Sequence, residues 1–464
     1  MSTDKNHGAE EILDLIGVGI GPFNLSLAAL SDRIPGLRTA FFDRHHAFCW
    51  HPGLMIDGTT LQVPFLADLV SLVDPASPWS FLSYLRAAER LFPFYFSERS
   101  HIYRAEYEAY CRWVSGQLPQ CHFGHQVESV SWDDERRAFA VDYTHEVEEG
   151  AETLNGRRYA RNVVLGIGTE PAVPAELRGL LAVGGDRVLH SADYLGHRDA
   201  LLSRPSVTVV GSGQSGAEIF LDLLRARPVG REGLQWIARS PAFAPMEYSK
   251  LGLEQFTADY TRFFRQLPER IREQLLPRQW QLYKAISAET IAEIYDELYR
   301  RSTDGGWPDA LLRPATRVRR GRARDGRIDL EIEHIQQGGG ETLTTDAVVL
   351  ATGYTERPTD SLLKGIAPNL VRDHGGRPLV DAAYRLVLDD SVHGSLFVQN
   401  AERHTHGVGA PDLGLAAWRS AVILNTLTGR EVYPLPARTA FTTFGFVPDR
   451  AGGARAAAPS AALT

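Results

Sequence analysis

Cysteine is scarce. Cys49, Cys111 and Cys121 are the only three, none of them in a CxxC pair. That excludes a disulfide framework and a thiol-exchanging reductase, and it predicts small buried hydrophobes in a reducing cytosol. Long apolar runs are missing too: no stretch approaches the roughly 20 residues a membrane helix needs. The start, MSTDKNHGAEE, is polar and acidic, without the basic and apolar regions of a secretory signal, so a cytoplasmic location is expected. Metal-ligand spacing is absent, because the pairs His45/His46 and His404/His406 fit neither HExxH nor a Cys/His pattern. Positive charge is in deficit: 49 basic against 57 acidic residues leave a net charge of −8, which argues against a nucleic-acid partner held by phosphate contacts. Lysine is nearly missing, with Lys5, Lys250, Lys284 and Lys364 set against forty-five arginines, a bias a GC-rich genome would produce.

What is present is enough chain for about three folding units, at roughly 150 residues each. Its 44% apolar and 23% charged residues are ordinary for a protein with real cores. The 42 glycines matter through their positions. A short apolar run enters Gly17-Val-Gly19-Ile-Gly21-Pro22-Phe-Asn24, and apolar residues at helical spacing follow. In that context Gly17 permits a tight turn, Gly19 lets the backbone approach a pyrophosphate, and the helix N-terminus presents free N–H groups to it. The next apolar run, Thr39–Phe42, ends in Asp43, placed to accept hydrogen bonds from a ribose diol.

A second cluster, Gly211-Ser-Gly213-Gln214-Ser215-Gly216-Ala-Glu218, again follows a β-branched run and opens an amphipathic helix. Its next strand ends in Arg239 instead of an acid, and an arginine can pair with a 2′-phosphate, so NADPH is expected over NADH. Two dinucleotide folds in one chain, the second inserted in the first, suit a flavin enzyme that takes electrons from a pyridine nucleotide.

The expected class is α/β, with two Rossmann-like dinucleotide-binding domains and a small helical substrate-site segment. The boundaries read as 8–195 for the first part of an FAD domain, 196–345 for an NADPH domain with a helical insert at about 247–305, 346–445 for the second part of the FAD domain, and 446–464 for a disordered tail. The run 346–354 ends in Ala351-Thr352-Gly353-Tyr354 and is expected to return the chain to the first domain. The aromatic stripe Phe256, Tyr260, Phe263 and Phe264, then Tyr295 and Tyr299, reads as packing before it reads as a substrate lid.

With these residues in view, the chain resembles the microbial N-hydroxylating flavoprotein monooxygenases, the lysine, ornithine and diamine hydroxylases of hydroxamate siderophore assembly. The likeness runs from about Asp14 to Pro434. It is carried by both glycine loops, Phe48-Cys-Trp50-His51-Pro-Gly, Leu61-Gln62-Val-Pro-Phe-Leu-Ala67-Asp-Leu, Asp74-Pro-Ala-Ser-Pro-Trp, Ala351-Thr352-Gly353-Tyr and Thr405-His406-Gly. The resemblance implies FAD and NADPH as cofactors, with Gly17, Gly19, Gly21, Pro22, Asn24, Asp43, Trp50, His51, Leu61, Gln62, Gly211, Gly213, Gln214, Ser215, Glu218, Arg239, Thr352, Gly353, His406 and Leu413 near them. It implies that reduced FAD takes up O2 and that a C4a-hydroperoxide passes an oxygen to a neutral primary amine, with Gln62 supplying a hydrogen bond as the catalytic residue. Homo-oligomers are expected on the same ground, a dimer or a tetramer.

The departures concern the substrate. The amino-acid hydroxylases carry a carboxylate-pairing lysine where this chain has Ala67, and their polar substrate contacts fall near Leu253, Leu282 and Gly414, which are apolar or bare. Losing a charged, desolvated contact costs a few kcal/mol, so a substrate without a carboxylate is expected, a diamine such as cadaverine or putrescine. Its second ammonium needs an acid, for which Glu247, Glu254, Glu402 and Asp412 are candidates. Lysine or ornithine N-hydroxylation is the alternative, and a non-catalytic FAD-binding scaffold is the reading from another class. A Baeyer–Villiger enzyme is disfavoured, because 185–194 reads Gly-Asp-Arg-Val-Leu-His190-Ser-Ala-Asp-Tyr194 and not FxGxxxHxxxWP.

Overall fold

The computed structural model describes residues 11–146 and 153–446. The expected unstructured ends, 1–10 and the tail beyond Phe446, lie outside the described residues. Among the described residues no helix is long and apolar enough to cross a membrane.

The first sheet has seven strands. Its centre is Ile12–Val18, flanked in parallel by Thr39–Phe42 and by Thr153–Leu165. Ser395–Val398 joins Thr153–Leu165 in parallel from the far end of the chain. The long strand 153–165 divides its work. Its charged first half pairs antiparallel with Ala138–Glu146, and its buried Val163, Val164 and Leu165 join the parallel core. Helix Pro22–Ser31 is buried along its whole length and packs on the closing helix Ala416–Thr428, where the Ser26 and Ser420 hydroxyls meet at 3.0 Å. Every residue of that helix is small or apolar except Asn24, which is why it can sit between two layers.

The second sheet is all parallel, in the order Ala310–Arg313, Leu234–Ile237, Val207–Val210, Ala347–Leu350, Val188–His190. Here the expected boundaries need correcting. Ala347–Leu350 does not return the chain to the first sheet but lies inside the second, and Val188–His190, placed in the first domain by the boundary at 195, is the second sheet's edge. A short, fully buried apolar run carries no mark of which parallel sheet it joins; long-range pairing decides that. The chain crosses between the sheets through Thr169–Pro171 and Tyr354–Glu356, paired antiparallel. A three-stranded meander, Thr316–Arg324, Arg327–His334 and Gly339–Thr345, is a further element the sequence reading did not single out.

The helical insert comprises Ala258–Gln266, Glu269–Arg278, Trp280–Tyr283 and Ala288–Arg301. Its aromatic stripe divides: Tyr260 and Phe264 are core, whereas Tyr295 and Tyr299 stand exposed. Of the cysteines only Cys111 is fully buried, and Cys49 is exposed, contrary to expectation.

Candidate active site

One cavity of about 920 Å³ runs from the first glycine loop, past residues 42–63, to Gln214 and Ser215 at the second loop and on to 246–256, 282–283 and 411–413. Both loops and the helical insert therefore face one space. Among the described residues no group of three or more His, Cys, Asp or Glu is arranged to hold a metal.

The first loop is built by contact more than by flexibility. A Cβ on Gly17 would stand 2.1 Å from the Phe41 ring, and Gly19 takes φ +87° with the Gly166 carbonyl oxygen 2.4 Å from where its Cβ would lie. Gly21 faces open space and precedes Pro22 at the helix start, so the free approach of a phosphate is at Gly21 instead of Gly19. Asn24 does not line the cavity. Its amide donates to the Val18 and Gly19 carbonyls and accepts from Gln399, bracing the loop from behind. Asp43 does line it. Burial raises its carboxyl, but hydrogen bonds from His45 and the Ile20 N–H outweigh that and leave it below the usual carboxylate range, ionised as a ribose acceptor must be.

Trp50 and His51 line the middle of the cavity, with Leu61 buried beneath and Gln62 beside them. The His51 ring is reachable from the cavity but walled by protein. Burial and the Arg104 guanidinium hold its imidazole below its ordinary value, hence neutral. Gln62 carries the sharpest signal: its amide Nε2 is buried with no hydrogen-bond partner. A buried donor left unsatisfied is costly, so it fits a group held in the cavity. Together with the open Gly21 backbone and the ionised Asp43, this matches the demands of FAD.

At the second loop, Gly211 takes φ +135° against the Ala351 carbonyl oxygen. Gly213 caps helix Gln214–Ala226. Gln214 ties the loop to the insert, donating to Thr290 and accepting the Ser287 N–H at 2.7 Å. Glu218 is directed elsewhere, onto Arg104. Arg239 and Thr352 line a separate depression beside the cavity. Partial burial, and after it the charges of Arg403 and Arg239, hold the Lys284 amine below its ordinary value. Thr352 and Gly353 pin the crossing instead of facing the cavity: Thr352 Oγ1 donates to the Ala172 carbonyl at 2.6 Å, and the Gly353 carbonyl accepts from His190 and Ala172. His406 is buried against Tyr384 and also off the cavity. Leu413 lines it.

The substrate-side positions divide. Glu247, Leu253 and Leu282 line the cavity, whereas Ala67 is buried off it and Gly414 is turned so that its N–H caps Asp412 at 2.7 Å. Of the four acids, Glu402 is buried in an ion pair with Arg419 at 2.9 Å, and Glu254 binds backbone at 441–442. Glu247 and Asp412 remain. Burial pushes the Asp412 carboxyl up to about 6. Tyr354, which closes the Ala351-Thr352-Gly353-Tyr354 motif, also lines the cavity, as do Arg104, Tyr248 and Tyr283, which no site reading of the sequence includes.

The L-lysine 6-monooxygenase/L-ornithine 5-monooxygenase family model matches residues 11–356. The chain belongs to this family. It is 43% identical over 444 residues to the rhizobactin siderophore biosynthesis protein RhbE of Rhizobium meliloti, covering 93% of this chain and 95% of that one. It is 38% identical over 447 residues to a putrescine N-hydroxylase of Shewanella oneidensis, covering 96% and 86%. Its fold matches FAD-bound DfoA, the cadaverine monooxygenase of desferrioxamine biosynthesis in Erwinia amylovora, with a TM-score of 0.88 and 38% identity, covering 95% of this chain and all of that one. As a member of this family the chain is an FAD- and NADPH-dependent monooxygenase that N-hydroxylates amines for siderophores. The resemblance drawn from the motifs therefore holds, as does the class of two dinucleotide domains.

Proposed function

We propose that the chain hydroxylates one terminal nitrogen of an aliphatic diamine, cadaverine or putrescine, for hydroxamate siderophore assembly. One observation carries the reading: of the residues at 246–256, 282–283 and 411–413 that line the cavity, two are acids, Glu247 and Asp412, and none is lysine or arginine. Such a wall favours an ammonium over an α-carboxylate, the cavity's arginines, Arg44, Arg104 and Arg357, belonging to other segments of its lining. The substrates of two similar proteins, putrescine for the Shewanella oneidensis hydroxylase and cadaverine for DfoA, agree with it.

Bound FAD, reduced by NADPH, supplies the activated oxygen. The protein's share is placement. Asp412, with Glu247 nearer solvent, holds the distal ammonium. The apolar Leu253, Phe256 and Leu282 hold the methylene chain and exclude water, lowering the pKa of the reacting amine so that its nitrogen carries a free lone pair. Gln62 Nε2 offers the hydrogen bond at the reacting end.

The test is hydroxylamine formation together with NADPH oxidation for cadaverine, putrescine, lysine and ornithine. A diamine should have the highest kcat/KM; a win for lysine or ornithine overturns the reading. Product must be scored, because NADPH loss alone also reports uncoupled turnover.

A further inference from the structure

The wall that carries Leu253 and Phe256 follows the second glycine loop in chain order, yet it is held from the first unit. Tyr260, Phe264 and Leu282 share a core with Val408. Helix Glu269–Arg278 is tied to 374–377, with Arg377 at 2.8 Å from Glu273 and His374 at 3.0 Å from Glu269. The stretch 437–445 then closes over the outer face. Glu254 accepts the backbone N–H of Phe441 through one oxygen and that of Thr442 through the other, both at 2.7 Å. Thr439 donates its hydroxyl to Asp259 at 2.7 Å, and its backbone N–H also donates to Asp259. Arg262 donates to the Ala437 carbonyl at 2.9 Å. The Phe444 ring meets Tyr260 edge-on at 5.0 Å.

We propose that Glu254 is a substrate-positioning residue: it fixes the turn bearing Leu253 and Phe256 by gripping a C-terminal strap, 437–445. Glu254 directly follows Leu253, and both of its carboxylate oxygens are engaged by the strap, so its charge does not serve the amine. Because the strap continues directly from Tyr433, whose hydroxyl donates to the Leu30 carbonyl of the first unit at 2.6 Å, the amine site is held in register with the flavin loop independently of the dinucleotide at the second. Charge-assisted hydrogen bonds to two adjacent N–H groups define a position more narrowly than apolar packing does. A displacement of about 1 Å at such a wall is enough to change turnover or binding severely. The inference rests on the amine-hydroxylating reading of the cavity.

The test uses the full-length, FAD-loaded enzyme with Glu254→Ala, Glu254→Gln and Phe444→Ala. The amine KM and kcat, the NADP+ Kd by fluorescence titration, and hydrogen exchange across 249–266 and 207–226 are measured. Glu254→Ala and Phe444→Ala should each raise the amine KM about tenfold, with kcat within about threefold and the NADP+ Kd unchanged. Glu254→Gln, which keeps one acceptor oxygen, should fall between. Exchange at 249–266 should quicken in both alanine variants while 207–226 stays as it was. An amine KM unchanged in both alanine variants overturns the proposal. So does a rise in Glu254→Ala without one in Phe444→Ala, which would mean that Glu254 meets the amine itself. If no amine is turned over, the functional reading fails, and exchange at 249–266 still decides the strap, unchanged rates sinking it.

Discussion

Arg104 and Glu218 face each other, the two terminal guanidinium nitrogens each donating to a different carboxylate oxygen at 2.7 Å. Arg104 opens a helix that packs with the first unit, and Glu218 lies on the helix of the second glycine loop. The pair therefore joins the two dinucleotide units across their shared cavity, and it explains why Glu218, expected at the cofactor, is turned away from it. With both side chains largely buried, the cost of breaking the pair comes mainly from the charge left behind.

Removing one partner, Glu218→Ala, should therefore cost about 3 kcal/mol and lower the Tm by several degrees. The double variant Arg104→Met/Glu218→Leu should recover most of that loss. Thermal unfolding of the two variants checks this, and a double variant as unstable as the single one would show that the pair contributes by attraction, not by mutual neutralisation.

Arg239→Ala should raise the KM for NADPH by roughly thirtyfold, the equivalent of about 2 kcal/mol for a lost charged contact, and leave the KM for NADH nearly unchanged. Steady-state kinetics with the two nucleotides measures it. Equal effects would remove Arg239 from the 2′-phosphate.

Asp412 predicts a pH effect. Its carboxyl, at about 6, is ionised above that pH and neutral below it, so diamine KM should climb as pH falls through 6. Asp412→Asn should raise KM at pH 8 by about tenfold or more and abolish the inflection near 6. The separate loss of neutral amine on acidification affects both enzymes alike, so the comparison isolates the carboxylate. An inflection that survives in Asp412→Asn assigns the ammonium to another group.

Gln62→Ala removes the unpartnered donor. NADPH oxidation should persist while the hydroxylamine yield per NADPH falls by about tenfold or more and hydrogen peroxide rises to match. Unchanged coupling would make Gln62 a structural amide.

The two glycine loops, Asp43 and Arg239 can be expected from the sequence because each depends on local order: strand, turn, helix, then the residue closing the next strand; Gln62 comes only from the family resemblance. What misled was equally local. Asn24, Glu218, Thr352 and Gly353 sit in the same motifs as cavity-lining residues, but they brace the loop, the unit interface or the crossing, and His406 is buried against Tyr384. A motif records which residues a fold needs together and does not separate those that face a ligand from those that hold the loop in place.

The substrate side divides in the same way. Ala67 can be read along the chain, but that a lysine stands there in the amino-acid hydroxylases is what the resemblance implies, and the structure places Ala67 off the cavity. Which of Glu247, Glu254, Glu402 and Asp412 are already engaged elsewhere is decided only by tertiary packing. Glu402 found Arg419, and Glu254 found the backbone at 441–442, nearly two hundred residues on. The sheet assignment of Ala347–Leu350 turned on the same kind of contact. Periodicity and turn chemistry act over a few residues and can be read along the chain, whereas the partner of a buried charge or a buried strand is chosen by groups that meet only after folding.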